Sequence, residues 1–374
     1  MKSKKVNNQP QEIQDYPEID PKDQNAIECI NEIFMSPLTG SYNWDYTVVE
    51  DRIKKLYELG KELNWNVSSD LDWSQEYPKN ELMINYELFE SPDSVLRGYE
   101  ELSDEKKVEM DRHRVSWNLS QFLHGEQGAL LVASQLVSCA PTFNAKMYAA
   151  SQTFDEARHV EGFNRYLKEK IGFQYPATKG LKSLMDKILT DERWDLKFIG
   201  MQIIIEGLAL AAFNNMKFIL NDGLLKQLLH YVIRDEARHV TFGVNYLEDY
   251  LKTLSKSEID DRAEFAFEAC VVMRNRLISG DVIARFLDYT PEEAQEAAEN
   301  TEQGKNFRTL LFTKIIPNLK RIGLLNDKVM PKYEQLGVLS YADLEDNFNI
   351  DWADMSKPYE TQEEIEKFIS APHH

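Results

Sequence analysis

Three side chains of metal-ligand type, Glu126, Glu156 and His159, recur as Glu206, Glu236 and His239, each displaced by the same 80 residues. Around the second carboxylate of each set the identity extends over six positions: Asp155-Glu156-Ala157-Arg158-His159-Val160 returns as Asp235-Glu236-Ala237-Arg238-His239-Val240. Glu and His three apart stand about 300° round a helix, close enough on one face to hold one ion or two adjacent ions. Four carboxylates supply the charge that neutralises two divalent cations, and two imidazoles favour iron over magnesium or calcium. A single Glu-x-x-His on a helix is most simply a solvated ion pair. Two copies with matched upstream glutamates point to metal instead.

The elements that must position these six follow from the punctuation between them. Pro141 stands fifteen residues from both Glu126 and Glu156, and the turn Asn221-Asp222-Gly223 begins midway between Glu206 and Glu236. A helix that climbs fifteen residues to a turn and a partner that descends fifteen bring both glutamates back to one level, roughly 22 Å from the turn. Two such hairpins packed together make an all-α four-helix bundle in which all six ligands converge. Glu126 is flanked by Ala129, Leu130, Leu131, Val132 and Ala133, and Glu206 by Ile203, Ile204, Ile205, Leu208 and Leu210. A carboxylate buried among such residues costs several kcal/mol unless a cation or a proton meets it.

One Glu on each of two helices and Glu-x-x-His on each of the other two resembles the ferritin-like di-iron carboxylate superfamily, of the ribonucleotide reductase small subunit and di-iron oxygenase type. The resemblance covers roughly residues 110 to 280. It implies a ferritin-like bundle extended by further helices, two iron ions per chain or an iron-manganese pair, and dioxygen as co-substrate. It also implies that Asp155 orients His239 and Asp235 orients His159 across the hairpins, with Arg158 and Arg238 pairing with these aspartates. Gln152 and Gln202, four residues before ligand glutamates, are the polar candidates for orienting substrate or oxygen. Leu130, Phe163, Leu210 and Phe213, in helical register with ligands, are candidates for a pocket wall.

Departures from the relatives' patterns sharpen the reading. Radical-bearing reductase subunits place Tyr four residues after the first motif histidine, where this chain has Phe163. Arylamine N-oxygenases carry a further His where Val232 stands, and multicomponent monooxygenases a Thr where Leu210 stands. The resemblance therefore implies an oxygenase or oxidase working by hydroxylation, N-oxygenation or desaturation on a small organic substrate. A ferritin- or rubrerythrin-like iron-oxidising protein and a reductase-like small subunit are the alternatives. About 200 residues beyond the core bundle, available to cover the metals and shape a pocket, favour the first.

Length and charge bound the rest. The 374 residues carry 43 Lys and Arg against 63 Asp and Glu, a net charge of -20 that argues against nucleic acid or an anionic membrane as partner. No stretch of 18 apolar residues is evident, and the polar opening segment carries no apolar signal core. Cys29, Cys139 and Cys270 are few and widely spaced, as reduced cytoplasmic thiols are. No Walker loop, GxGxxG fingerprint or CxxC occurs, so electrons are expected from an external reductase or ferredoxin, and a homodimer is expected by resemblance.

The expected organisation is a mobile segment over 1–24, a helical extension over 25–110, the metal-binding bundle over 111–280, and a C-terminal helical extension and tail over 281–374. Within it, helices are expected over Ile27 to Met35, Val48 to Leu63, Gly180 to Leu189 and Ser257 to Ser279. Trp65, Trp73 and Tyr77 are read as packing residues. His113, His124 and His230 lack register with any ligand and are assigned surface or supporting roles, while His373 and His374 end the chain.

Overall fold

The computed structural model describes residues 9–13, 22–275, 277–348, 350–357 and 359. His373, His374 and most of residues 1–24 lie outside them. The helices are α1 (Gln24–Ile30), α2 (Asp51–Glu62), α3 (Asp104–Cys139), α4 (Phe143–Tyr166), α5 (Lys179–Thr190), α6 (Trp194–Phe198), α7 (Glu206–Ile219), α8 (Gly223–Leu251) and α9 (Lys256–Arg274). Short helices α10 (Gly280–Phe286), α11 (Pro291–Asn300), α12 (Glu302–Leu310), α13 (Ile316–Arg321), α14 (Met330–Gln335) and α15 (Trp352–Met355) complete an all-α fold.

The hairpin turns are built from the residues that mark them in the sequence. Helix α3 is capped at its start by Ser103, whose hydroxyl accepts from the Lys106 amide, and stops at Cys139, two residues before Pro141, which cannot continue the ladder. Thr142 caps the start of α4 by accepting from the Ala145 amide. In the second hairpin Asp222 caps α8 by accepting from the Leu225 amide. Helix α4 runs on through a π-helical turn, Leu167–Ile171, and ends at Gly172, whose φ of 95° is the left-handed conformation that glycine adopts without strain. α3 packs along α4, α7 along α8, and α4 meets α8, so the two hairpins close one bundle.

Two expectations change. Gln11–Glu12, inside the segment expected to be mobile, pairs antiparallel with Phe173–Gln174. The helix expected over Ile27 to Met35 runs instead over Gln24–Ile30; Ile33 and Met35 are more than 80% exposed and have no apolar face to support a further turn. The segment Trp194–Ile219, although interrupted by polar residues, is long and apolar enough by mean hydropathy to cross a bilayer, and 89% of its most apolar window is buried inside the fold.

His113 is buried on α3, not at the surface: its Nδ1 lies 2.7 Å from the Tyr175 hydroxyl, and burial pushes its pKa down to about 4. A group that favours its neutral form in the folded chain gives stability that is complete above its unfolded value near 6.5 and is lost as pH falls toward 4. After allowance for solvent screening the expected loss is about 1 kcal/mol. Urea unfolding of metal-free protein at pH 7 and pH 5 checks this: His113→Gln should lose less stability than the parent over that interval, and equal losses would remove His113 as a source of acid sensitivity.

Candidate metal centre

All six repeated ligand-type side chains meet inside the bundle, each at most 5% exposed. Around His159 Nδ1 stand Glu126 Oε2 at 3.1 Å, Glu236 Oε1 at 3.2 Å and Glu156 Oε2 at 3.3 Å. Around His239 Nδ1 stand Glu156 Oε1 at 3.1 Å and Glu236 Oε2 at 3.7 Å. Ligand atoms of Glu126, Glu156, His159 and Glu236 lie within 4.8 Å of one another, as do those of Glu156, Glu206 and His239. Glu156 belongs to both groups. Two adjacent cation positions sharing a carboxylate are what this arrangement can hold.

Hydrogen bonding alone does not satisfy these atoms. One imidazole nitrogen carries at most one hydrogen and cannot serve three carboxylates. Each histidine also presents its Nε2 to an aspartate, which leaves the Nδ1 lone pair facing the glutamates. Glu156 Oε2, Glu206 Oε2, both Glu236 oxygens and His239 Nδ1 are buried with no hydrogen-bond partner among the described residues. Such atoms are costly to bury, and a divalent cation at each position satisfies them.

The charges close the argument. Burial first, and then the Glu236 charge, pushes Glu126 and Glu206 well above the ordinary carboxylate range. Burial also acts on Glu156, but the two imidazoles outweigh it and hold this carboxyl below that range. Burial likewise presses both imidazoles toward neutrality; Glu126 beside His159 and Glu156 beside His239 lead the opposing attraction and leave both raised. Glu126 and Glu206, buried among like charges, favour their protonated forms in the absence of metal, and metal uptake would expel those protons.

A ring of buried ion pairs frames the ligands. Asp155 Oδ2 lies 3.2 Å from His239 Nε2 and Asp235 Oδ2 lies 3.1 Å from His159 Nε2, each from the opposite hairpin. Arg238 donates to Asp155 at 2.9 Å and Asp235 at 2.7 Å; Arg158 donates to Asp235 at 2.9 Å and also to Asp155. Two aspartates balance two arginines, so the four glutamates remain for the metals. Burial acts against Asp235, yet Arg238 and His159 keep it well below the ordinary range.

Trp65, read from sequence as packing only, is part of this frame. Its Nε1 donates to Asp235 Oδ2 at 2.7 Å, the Arg158 guanidinium lies 5.2 Å over its ring, and Tyr231 stacks on it at 5.1 Å. The contact joins positions 170 residues apart, and no local spacing signals it.

Gln152 donates from Nε2 to Glu156 at 3.1 Å and to Glu206 at 2.8 Å, so it holds two of the carboxylates in place. Gln202 Nε2 sits 3.5 Å from Gln152 Oε1, and Gln202 Oε1 is buried without a partner among the described residues. Gln202 belongs to a second π-helical stretch, Ile199–Ile205, directly before Glu206; π turns of this kind re-aim side chains at functional sites. A Cβ at Gly243 would stand 2.7 Å from Gln202 Cβ, so glycine on α8 is what lets this stretch approach.

The four residues proposed for a pocket wall are not among those lining the apolar cavity farther along α3 and α7. Phe163 and Phe213 are fully buried and, with Phe122, form an aromatic cluster with ring centroids 4.6 to 6.0 Å apart. Leu210 is core and Leu130 is half-buried. Helical register with a ligand points a side chain into the bundle, where packing is tight. That cavity, about 110 Å³, is lined by Phe122, Leu208, Ala212 and Met216 among others. His124 and His230 are likewise accounted for: His124 Nε2 lies 2.9 Å from the Tyr175 carbonyl, and His230 Nε2 3.1 Å from that of Lys357.

No family model matches the chain, and no curated protein matches it. Among solved structures it is similar to an R2-like ligand-binding oxidase with aerobically reconstituted metal cofactor after photoconversion, at 17% identity, TM-score 0.48, over 74% of this chain and 94% of that one. It is also similar to an R2-like ligand-binding oxidase with aerobically reconstituted Mn/Fe cofactor, at 18% identity, TM-score 0.47, over 76% of this chain and 99% of that one.

Proposed function

We propose that this chain is a dioxygen-activating dimetal oxidoreductase, an oxygenase or oxidase that acts on a small organic substrate and draws electrons from an external donor. The observation that carries this is the pair of overlapping Glu/His groups whose buried ligand atoms lack partners. Glu126, Glu156, His159 and Glu236 would hold one cation, and Glu156, Glu206 and His239 the other, with iron or an iron-manganese pair as the metals. When bound, the metals supply the electrons that reduce dioxygen and the oxidising power passed to substrate. The chain's part is positional. Asp155 and Asp235 hold the Nε2 hydrogens of the histidines, Gln152 aims Glu156 and Glu206, and the apolar walls of α3 and α7 exclude water.

Anaerobic titration with ferrous iron followed by rapid mixing with dioxygen tests the proposal. Two ions per chain and rapid oxidation are expected, with a transient absorption whose decay accelerates when the right organic compound is present. Many irons accumulating per chain would support storage instead, and a stoichiometry of one would sink the dimetal reading.

Oxidation is further expected to leave no long-lived tyrosyl radical. Phe163 has no O–H to lose, and Tyr148, although fully buried near the centre, has a hydroxyl with no hydrogen-bond partner among the described residues. A phenol gives up its electron readily only if its proton has an acceptor. Freeze-quenched electron paramagnetic resonance decides: a stable tyrosyl signal near one per chain would revive the reductase-subunit alternative.

A further inference from the structure

The apolar cavity beside the metal centre has a built polar end. Its walls come from α3 and α7, which also carry Glu126 and Glu206, and from Ile278, Val282 and Ile283 around α10. Phe122 lies four residues before Glu126, about one turn or 6 Å along α3, and Leu208 two residues after Glu206. Phe122 also touches Phe213, at 4.6 Å between ring centroids, and Phe163, which follows His159 by one turn. This end of the cavity is apolar and lies about one helical turn from Glu126 along α3. Asn118 and Asn215 stand farther off, eight and nine residues from Glu126 and Glu206, and their carboxamides make no side-chain hydrogen bond among the described residues.

The cavity's one cation and one anion cancel. Arg114 donates to Asp93 and to the Tyr86 hydroxyl, and Asp93 also accepts from the Ser91 hydroxyl. A ligand ion of either sign would have to break that pair or be buried without a counter-charge, both unfavourable. Two free carboxamides, by contrast, donate and accept at once. A volume of about 110 Å³ is of the order of the ~150 Å³ engineered cavity that takes up benzene.

We propose that this cavity binds the substrate of the reaction proposed above, on which the inference rests, as an uncharged molecule with a ring-sized apolar body and one amide-like polar group. Asn118 and Asn215 hold the polar group, and the apolar body points toward Phe122, Leu208 and the metal ligands. The carbon framework, not the polar group, is thereby presented for oxidation.

Calorimetric titration of the metal-loaded protein with benzamide, benzoate and benzylamine tests it. Benzamide should bind saturably at one per chain, at least about 10-fold tighter than either ion, and Asn118→Ala and Asn215→Ala should each weaken it about 5- to 10-fold. Ala212→Trp should fill the cavity and abolish binding while two metals per chain remain. Benzoate binding tightest, no saturable benzamide binding, or benzamide binding unchanged in all three variants would overturn the proposal. Dioxygen uptake by the ferrous protein, measured alongside, separates the two readings. Uptake without benzamide binding sinks the cavity alone, whereas benzamide binding without uptake sinks the oxidoreductase alone.

Discussion

Glu206→Ala is expected to cut metal binding from two ions per chain to one or none, and Glu126→Ala to do the same. Glu206 ligates only one of the two groups, where Glu156 and His239 alone would remain to fill that position. Metal held at a thousand times its dissociation constant stabilises the fold by about 4 kcal/mol per site, so the variants should lose that increment in thermal unfolding. The metal-free forms should behave differently. An ordinary core truncation to alanine costs about 2–5 kcal/mol, but here the deleted group is a buried acid held well above its ordinary pKa among like charges. Its removal relieves that repulsion and should leave the metal-free protein within about 1 kcal/mol of the parent. Elemental analysis together with melting curves with and without ferrous iron checks both halves. Two ions retained in either variant would contradict the ligand assignment.

Asp155→Asn and Asp235→Asn should each weaken metal retention about 10- to 100-fold while the bundle still folds. An amide offers His239 or His159 an acceptor, but not the negative charge that raises imidazole basicity. It also leaves Arg158 and Arg238 sharing a single carboxylate, since each arginine now bonds to both aspartates. Because the two sites share these partners, the double variant should depart from additivity by 0.5 kcal/mol or more. Competition against a chelator of known affinity measures the change. Unchanged affinity in both single variants would reduce the aspartates to structural counter-ions of the arginines.

What the amino-acid sequence alone determined is everything that local helical geometry can carry. The 80-residue repetition of Glu126, Glu156 and His159, the turns at Pro141 and Asp222, and the apolar surroundings of Glu126 and Glu206 are enough to place six ligands at one level of two hairpins. The reason is that rise and rotation per residue are constant within a helix. The same rule failed where the outcome depends on neighbours. Ile27 to Met35 has helical periodicity but stops at Ile30 for want of a surface to pack on, and Phe163, Leu210 and Phe213 share register with ligands yet lie in packed core, while Leu130 is only half-buried. Only tertiary structure decided that Trp65 reaches Asp235, that a π turn aims Gln202 at Gln152, and that open space lies along α3 and α7 between Phe122 and Asn118. These depend on how separate elements approach one another across as many as 170 residues of chain, and on small permissions such as Gly243 against Gln202. Periodicity says which face of a helix turns inward; packing alone says what it meets and where a gap is left.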